Sequence, residues 1–252
     1  MLKVRIMPTL LYKQTTLVKG IRFDSWRRVG IIMQAVKVYN MRQVDELVFM
    51  DITATQEGRR PDFELVDEFA DECFVPLTVG GGIKDIDDVR QLLLVGADKI
   101  SLNTAAFFHP ELIKEIASNF GSQCVVVSID VRKSANGFYS VWTHSGTNDT
   151  KKDPIQFAVD AEKKGAGEIL LTSIDRDGTM QGYDIELVRK VTDAVSIPVI
   201  ASGGAGSYEH MLQVINEGKA SAVAAASIFH FTEQTPLEAK KFLKEHGVPT
   251  RI

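Results

Sequence analysis

Short runs of β-branched and other apolar residues alternate along the chain with longer amphipathic stretches. The strand-like runs are VRIMPTLL, ELVFMDI, PLTVGG, KISLNT, CVVVSID, EILLTSI, PVIASGG and SAVAAAS. Helical patterns such as DDVRQLLLVG and YEHMLQVINEG follow them. Because strands that alternate with helices build parallel sheets, this pattern predicts an α/β fold of eight units, a closed (βα)8 TIM barrel.

The length of the chain favours one domain over residues 1–252. A chain of 252 residues has the size of a single α/β barrel. No linker-like or low-complexity segment interrupts the pattern. We therefore predict a single barrel domain.

An internal repeat predicts that the barrel consists of two similar halves. The stretch VPLTVGGGIKD resembles IPVIASGGAGS, and Gly203 follows Gly81 by 122 residues, about half of the chain. The stretch DELVFMDITAT resembles GEILLTSIDRDGT in the same way. By this offset, the strand that ends at Asp130 corresponds to the strand that ends near Leu11.

Composition bears on which partners the protein can bind and on the cell compartment in which it is expected. The 33 acidic residues outnumber the 29 Lys and Arg residues, which argues against a nucleic-acid partner. No apolar run reaches the roughly 18 residues of a membrane span, and the N-terminus lacks a signal-peptide pattern. Cys73 and Cys124 lack metal-ligand spacing and are expected to be reduced core residues, as in a cytoplasmic protein. We expect no membrane contact, no metal and no cofactor.

Glycine-rich turns follow two of the predicted strands. They are VGGGI after the third strand and SGGAG after the seventh, and the next strands end in Asn103–Thr104 and Ala226–Ser227. In α/β barrels the carboxyl ends of the strands carry the functional residues, and amides in such turns can hold an anion. A single turn of this kind can be purely structural. The symmetric pair favours a ligand with a phosphate group at each end.

Three aspartates lie at the same predicted end of the barrel: Asp51, Asp130 and Asp177. Helix capping and turn formation are the alternative explanation for each, since Asp is favoured in both places. Asp130 ends the apolar run VVVSID, where desolvation can adjust a carboxyl to act as a general acid or base. We therefore single out Asp130 as a catalytic candidate.

Charged residues mark the opposite ends of several strands: Arg5, Glu46, Lys99 and Glu168. A buried charged layer is costly unless its members pair, so we expect a paired ring at the barrel floor. Such a ring can be a structural plug without any further role.

Several motifs together resemble one family. They are DELVFMDITAT, PLTVGGGI, GADKISLNTAA, FGSQCVVVSID, GAGEILLTSIDRDGT, GYD, IPVIASGGAG and FHF, and they are similar to the HisF family, the cyclase subunits of imidazole glycerol phosphate synthase. The likeness covers nearly the whole chain. It implies a barrel that docks a glutaminase (HisH-like) subunit at the N-terminal face of its strands and receives ammonia through its interior. At the other face, ammonia would react with a bisphosphorylated ribulosyl aminoimidazole carboxamide nucleotide, which makes this a lyase-type cyclase.

The resemblance also implies roles for individual residues. Arg5, Glu46, Lys99 and Glu168 match a gate at the ammonia entrance, and Asp98 matches a position at the partner interface. Gly82, Asn103 and Thr104 match one phosphate site. The other phosphate site is matched by Asp177, Gly178, Gly203, Gly204, Ala226 and Ser227. Lys19 matches a lysine of a mobile loop near the substrate, and Asp130 matches one of two catalytic aspartates.

The position of the second catalytic aspartate is occupied by Leu11. The cyclase needs one group to move protons as ammonia adds and another as the ring closes, and leucine can do neither. Loss of a positioned acid-base group typically costs about 10²- to 10⁴-fold in rate. The surrounding TLLYKQTT also departs from the CLDVKDGR-like pattern of the family, so cyclase activity is doubtful.

This combination resembles the HisF-like glycan-amidation (WbuZ-like) branch of the family. That resemblance implies that the barrel accepts ammonia from a glutaminase for a separate sugar amidotransferase in surface-polysaccharide (lipopolysaccharide) biosynthesis. This is our leading hypothesis. Two alternatives remain: a cyclase subunit that works in histidine biosynthesis, and a non-catalytic scaffold that activates a glutaminase.

Overall fold

The computed structural model describes residues 3–251. Its strands are β1 (Arg5–Lys13), β2 (Thr16–Ile21), β3 (Asp24–Gly30), β4 (Leu47–Asp51), β5 (Leu77–Gly80), β6 (Lys99–Leu102), β7 (Val125–Lys133), β8 (Tyr139–Thr143), β9 (Asn148–Asp149), β10 (Glu168–Ser173), β11 (Val199–Ser202) and β12 (Ala222–Ala225). Its α-helices are α1 (Ile32–Met41), α2 (Phe63–Ala70), α3 (Ile86–Leu94), α4 (Thr104–Phe108), α5 (Glu111–Phe120), α6 (Pro154–Lys163), α7 (Ile185–Thr192), α8 (Tyr208–Asn216), α9 (Ser227–Phe231) and α10 (Pro236–Glu245).

Eight of the described strands close into a parallel barrel in the order β1, β4, β5, β6, β7, β10, β11 and β12. Closure comes from β12, which pairs with β1 through Arg5 and Ala222 and the residues that follow them. Each of the eight predicted runs forms one of these strands. The predicted (βα)8 TIM barrel is therefore confirmed.

The interior of the barrel and the space under the helices form two separate apolar clusters. The interior cluster consists of Met7, Val48, Val126, Leu170, Ile200, Ala222 and Ala224. The larger cluster packs the outer faces of the strands against the helices, with residues such as Ile6 and Ile100 completely buried. Because successive side chains of a strand point to opposite faces, one strand supplies both clusters.

Two antiparallel extensions, which the sequence patterns did not predict, rise from opposite sides of the barrel. Strands β2 and β3 continue from β1, and strands β8 and β9 continue from β7. Strand β1 itself runs to Lys13, two residues past the predicted run. Since β1 and β7 are four places apart in an eight-stranded barrel, the extensions face each other across its mouth. They occupy matching places in the two half-barrels.

Helix starts follow local side-chain chemistry. At six helices the residue before the first turn accepts a hydrogen bond from a backbone N–H of that turn, which satisfies a donor that the helix leaves free. These residues are Asp62, Asp85, Asp153, Asp184, Ser207 and Thr235.

Neither cysteine is paired: Cys73 and Cys124 are free thiols that are half-buried rather than fully in the core. No helix within residues 3–251 combines the length and apolar character needed to cross a bilayer.

The turn after β5 depends on Gly81, and its replacement by alanine should destabilise the fold. Gly81 has φ +106°, and a Cβ there would lie 2.2 Å from the backbone oxygen of Asp51. We expect Gly81→Ala to lower the free energy of unfolding by about 3 kcal/mol, from strain together with the clash. Gly58→Ala is the control, because Gly58 has φ +67° and no neighbour within 4 Å, and it should lose only about 1 kcal/mol. Urea unfolding measures both; equal losses would contradict this account.

Candidate active site

A cavity of about 580 Å³ opens at the carboxyl ends of the barrel strands. Its wall includes both glycine turns that the sequence pattern singled out, together with Asp130 and Asp177. A volume of this size lies within the range of small-molecule sites. The residues predicted to bind phosphate thus line one shared space.

The second predicted phosphate site has free donors. Gly203 and Gly204 have φ +89° and +111°, and a Cβ on either would meet a backbone oxygen, of Ser173 or of Gly182, within 2.6 Å. Within the described residues, the N–H groups of Gly203, Gly204 and Ser227 donate to no protein acceptor. These amides, with Gly178 and Ala226 beside them on the cavity wall, have the character of an anion cradle.

The first predicted phosphate site is more fully engaged in internal contacts. The N–H of Gly82 donates to Thr55 Oγ1 at 3.2 Å. Asn103 Nδ2 donates to Asp130 Oδ2 at 3.2 Å and to the Ser128 carbonyl at 3.1 Å. Thr104 Oγ1 donates to Asn103 Oδ1 at 3.2 Å. Asn103 therefore holds the Asp130 carboxyl, a contact that sequence reasoning did not foresee.

Asp130 has the electrostatics of a proton-transfer group. Its side chain faces the cavity from β7 and the residue is 9% exposed. Burial raises the pKa of the Asp130 carboxyl to about 7, and the negative charge of Asp177 adds to the rise. The group therefore changes protonation close to neutral pH, as general acid-base catalysis requires.

The other two aspartates are held by partners. Asp51 Oδ1 accepts from the N–H groups of Thr53 and Ala54, each at 3.0 Å, and Arg59 Nη1 and Nη2 both donate to Oδ2 at 3.1 Å. Asp51 therefore stabilises a turn, which is the alternative explanation given above for each of the three aspartates. Lys19 Nζ donates to both carboxylate oxygens of Asp177, at 2.8 and 2.7 Å.

Lys19 lies in strand β2 and is 3% exposed. The expected mobile loop is instead a β-hairpin, because β2 pairs with both β1 and β3. The hairpin also brings Phe23 and Trp26 to the cavity. Sequence reasoning missed both aromatic residues. The only signal for them was the presence of two aromatic side chains in the otherwise polar and basic segment RFDSWRR.

Leu11 and Asp130 occupy equivalent places on opposite sides of the mouth. Leu11 pairs in register with Met50 on β4, and both side chains line the cavity. Asp130 pairs with Thr172 on β10, which also lines it. The wall is therefore apolar where the repeat would place an acid, and it carries a carboxyl on the other side.

The four predicted floor residues form a continuous ion-pair ring. Arg5 Nη1 bonds Glu46 at 2.7 Å and Glu168 at 2.8 Å. Lys99 Nζ bonds the same two carboxylates at 2.9 and 3.1 Å. Their side chains are 6–15% exposed. Asp98 lies outside the ring, is exposed, and accepts from the Leu77 N–H at 2.8 Å.

A family model described as histidine biosynthesis protein matches residues 5–235. The chain belongs to this histidine biosynthesis protein family. The match covers nearly the whole chain, which agrees with the HisF-like resemblance of the motifs. This membership indicates an enzyme family of the cyclase or lyase type, associated with histidine biosynthesis. Within residues 3–251, no group of three His, Cys, Asp or Glu side chains could hold a metal ion.

The raised pKa of Asp130 makes a prediction about stability. In the unfolded chain the carboxyl titrates near 3.8, and in the folded protein near 7. Between these values the folded state keeps a proton that the unfolded state releases, so stability falls as pH rises through this window. Asp130→Asn should therefore stabilise the protein most above pH 7, by at most roughly 4 kcal/mol, and hardly at pH 4. Urea unfolding of both proteins at the two pH values tests this; a pH-independent difference would refute it.

Proposed function

We propose that this barrel accepts ammonia from a glutaminase partner and passes it on for the amidation of a surface-polysaccharide sugar, with a phosphorylated ligand in the upper cavity. One observation carries the proposal: a complete ion-pair ring remains at the floor, whereas Leu11 faces the cavity in the place of an acid. The ion-pair ring supports a role in ammonia handling, and the absence of an acid at position 11 supports a change in the chemistry of the upper cavity.

The interior offers groups that a small polar molecule can use. Glu168 Oε2, Thr78 Oγ1 and Ser101 Oγ are buried without a hydrogen-bond partner among the described residues. Buried polar atoms without partners are costly, and ammonia or water would satisfy them. Glu168 lies at the floor, while Ser101 lines the cavity. These atoms support passage along the barrel axis.

The floor face also suits a protein partner. Met41, Phe74 and Leu94 are large apolar residues with 75%, 79% and 72% of their surface exposed. Met41 and Leu94 are the last residues of α1 and α3, and Phe74 lies between α2 and β5, so all three are where helices lead to the next strands, at the same end as the ring. The helices α1, α2 and α3 are neighbours, and exposed apolar residues that lie together on one face are typical of interfaces. This face is where we propose that the glutaminase binds.

The upper cavity lacks the paired acids of a ring-closing enzyme. Asp130 can exchange a proton near neutral pH, which suits the handling of ammonia and ammonium. Asp51 and Asp177 are engaged by Arg59 and Lys19, and neither is free to replace the missing acid. This supports transfer of ammonia to an acceptor bound by a separate amidotransferase.

The cyclase reaction itself provides the first test. Purified protein is given the bisphosphorylated aminoimidazole carboxamide nucleotide and ammonium salt, so that no glutaminase is needed. We expect turnover at least about 10²-fold below that of an ordinary cyclase, because one acid-base group is missing. The control is Leu11→Asp, which restores a carboxyl opposite Asp130 and should raise turnover. Ordinary turnover by the unaltered chain would overturn the amidation proposal in favour of histidine biosynthesis.

The floor ring provides the second test. With glutaminase and acceptor system present, Lys99→Ala should raise the glutamine hydrolysed per amidated product several-fold, because the ring loses one of its two cations. Lys190→Ala is the control, since Lys190 forms an exposed pair with Glu186 and should leave the ratio unchanged. Unaltered coupling in Lys99→Ala would reduce the ring to a structural plug. Stimulated hydrolysis without any nitrogen transfer would identify the protein as a scaffold.

A further inference from the structure

The turn between β8 and β9 is held in an unusual conformation beside the first phosphate site. His144 and Ser145 have φ +53° and +54°, a region that costs energy for residues other than glycine. Several side chains fix the turn. The His144 N–H donates to Thr104 Oγ1 at 3.0 Å, Gln56 Nε2 donates to the His144 carbonyl at 3.0 Å, and Ser145 Oγ donates to the Ile52 carbonyl at 2.7 Å.

A chain of hydrogen bonds determines which nitrogen of His144 carries the proton. Asn148 Nδ2 donates to Thr143 Oγ1 at 3.0 Å, and Thr143 Oγ1 lies 3.1 Å from His144 Nδ1. Thr143 is completely buried, and within the described chain its hydroxyl hydrogen has no acceptor besides Nδ1. A buried hydroxyl that accepts from Asn148 therefore donates to Nδ1. The neutral imidazole then carries its hydrogen on Nε2.

His144 shares the cavity wall with the first phosphate site. His144, Asn103, Thr104 and Phe108 all line the cavity, and the His144 and Phe108 rings pack edge to face with centroids 5.8 Å apart. The side-chain donors of that site already serve internal acceptors, since Asn103 Nδ2 serves Asp130 and Thr104 Oγ1 serves Asn103. The Thr104 N–H donates to no protein acceptor within the described residues, but the site has no free side-chain donor of its own, and an anion there would gain from one on a neighbouring element.

We propose that His144 is a phosphate-binding residue, which donates from Nε2 to a terminal phosphate of the ligand, and that Thr143 is the positioning residue that sets its tautomer. This proposal rests on the proposed function, in which a phosphorylated ligand occupies the upper cavity, and it identifies one residue that binds the phosphate. A charge-assisted hydrogen bond of this kind is stronger than a neutral one.

The charges around the cavity favour this end for the anion. Lys84 follows Gly82 of the first phosphate site by two residues and lines the same cavity, and Lys84 Nζ donates to the Gly58 carbonyl at 2.6 Å rather than to a carboxylate. At the other end, the charge of Lys19 is matched by Asp177. A phosphate at the first site therefore meets a lysine that forms no ion pair within the described residues.

The tautomer is tested without any ligand. Nitrogen-15 NMR of the full chain distinguishes a protonated Nε2 from a protonated Nδ1, and the His144 signals are assigned by their loss in His144→Gln. We expect the Nε2–H form in the unaltered protein and in Thr143→Ser, which keeps the hydroxyl, but a mixture in Thr143→Val. A protonated Nδ1 in the unaltered protein, or no difference between the Thr143 variants, would overturn the positioning role.

Binding is tested with ribose 5-phosphate, and ribose is the uncharged control. Amide signals of Gly82 and Thr104 report the first site, and those of Gly204 and Ser227 report the second. His144→Asn removes a donor at the Nε2 position but suits a left-handed turn, because Asn tolerates positive φ. His144→Gln places an amide N–H near that position. We expect about tenfold or greater weakening at the first site in His144→Asn and near-normal binding in His144→Gln.

Each outcome bears on the proposal. Equal binding by both variants, equal loss in both, or no binding of ribose 5-phosphate at the first site would overturn it. Loss confined to His144→Asn supports it whether or not the barrel transfers ammonia. Failure of the amidation proposal and failure of the His144 proposal are therefore distinguishable.

Discussion

Closure of eight parallel strands is the constraint on which every site in this protein depends. Because β12 pairs with β1, all strand starts meet at one floor and all strand ends at one mouth. Alternation of side chains along each strand then stacks the interior in layers. From floor to mouth these are the ion-pair ring, the apolar cluster around Met7 and Val126, and the cavity that holds Asp130.

The two half-barrels keep one backbone and carry different chemistry. The glycine pairs 81–82 and 203–204 share positive φ, and a hairpin extends from the first strand of each half. Asp130 and Leu11 occupy matching positions within this frame. The Gly204 N–H is free within the described residues, whereas the equivalent Gly82 N–H donates to Thr55 Oγ1, and the Asn103 side chain is engaged by Asp130. Similar backbone geometry therefore does not make the two ends of the cavity equal as binding sites.

Sequence patterns predicted the barrel because every barrel strand is an apolar run that a helical pattern follows. They missed the first hairpin because the turn between β2 and β3 carries Arg22 and Phe23 at positive φ, where Gly or Asn would signal a turn. The turn between β7 and β8 does carry such a signal, Asn136–Gly137 with Gly137 at φ +83°, so the second hairpin was predictable from the sequence. The floor ring was predictable because charges at strand starts must pair. The contact of Asn103 with Asp130 and the ion pair of Lys19 with Asp177 join distant segments, and only the folded chain brings them together.

The ion pair of Lys19 with Asp177 fixes one hairpin at the mouth of the barrel. This pair joins hairpin β2–β3 to the segment after β10, and the Arg22 N–H adds a bond of 2.8 Å to the Asp177 carbonyl. An anion bound beside Lys19 competes with Asp177 for the same ammonium group. If Lys19 turned fully to the anion, Asp177, which is 8% exposed, would be left as a buried carboxylate without its counter-ion. An ammonium group has three donors, and two of those of Lys19 serve Asp177, so the third can reach an anion while the hairpin contact stays in place.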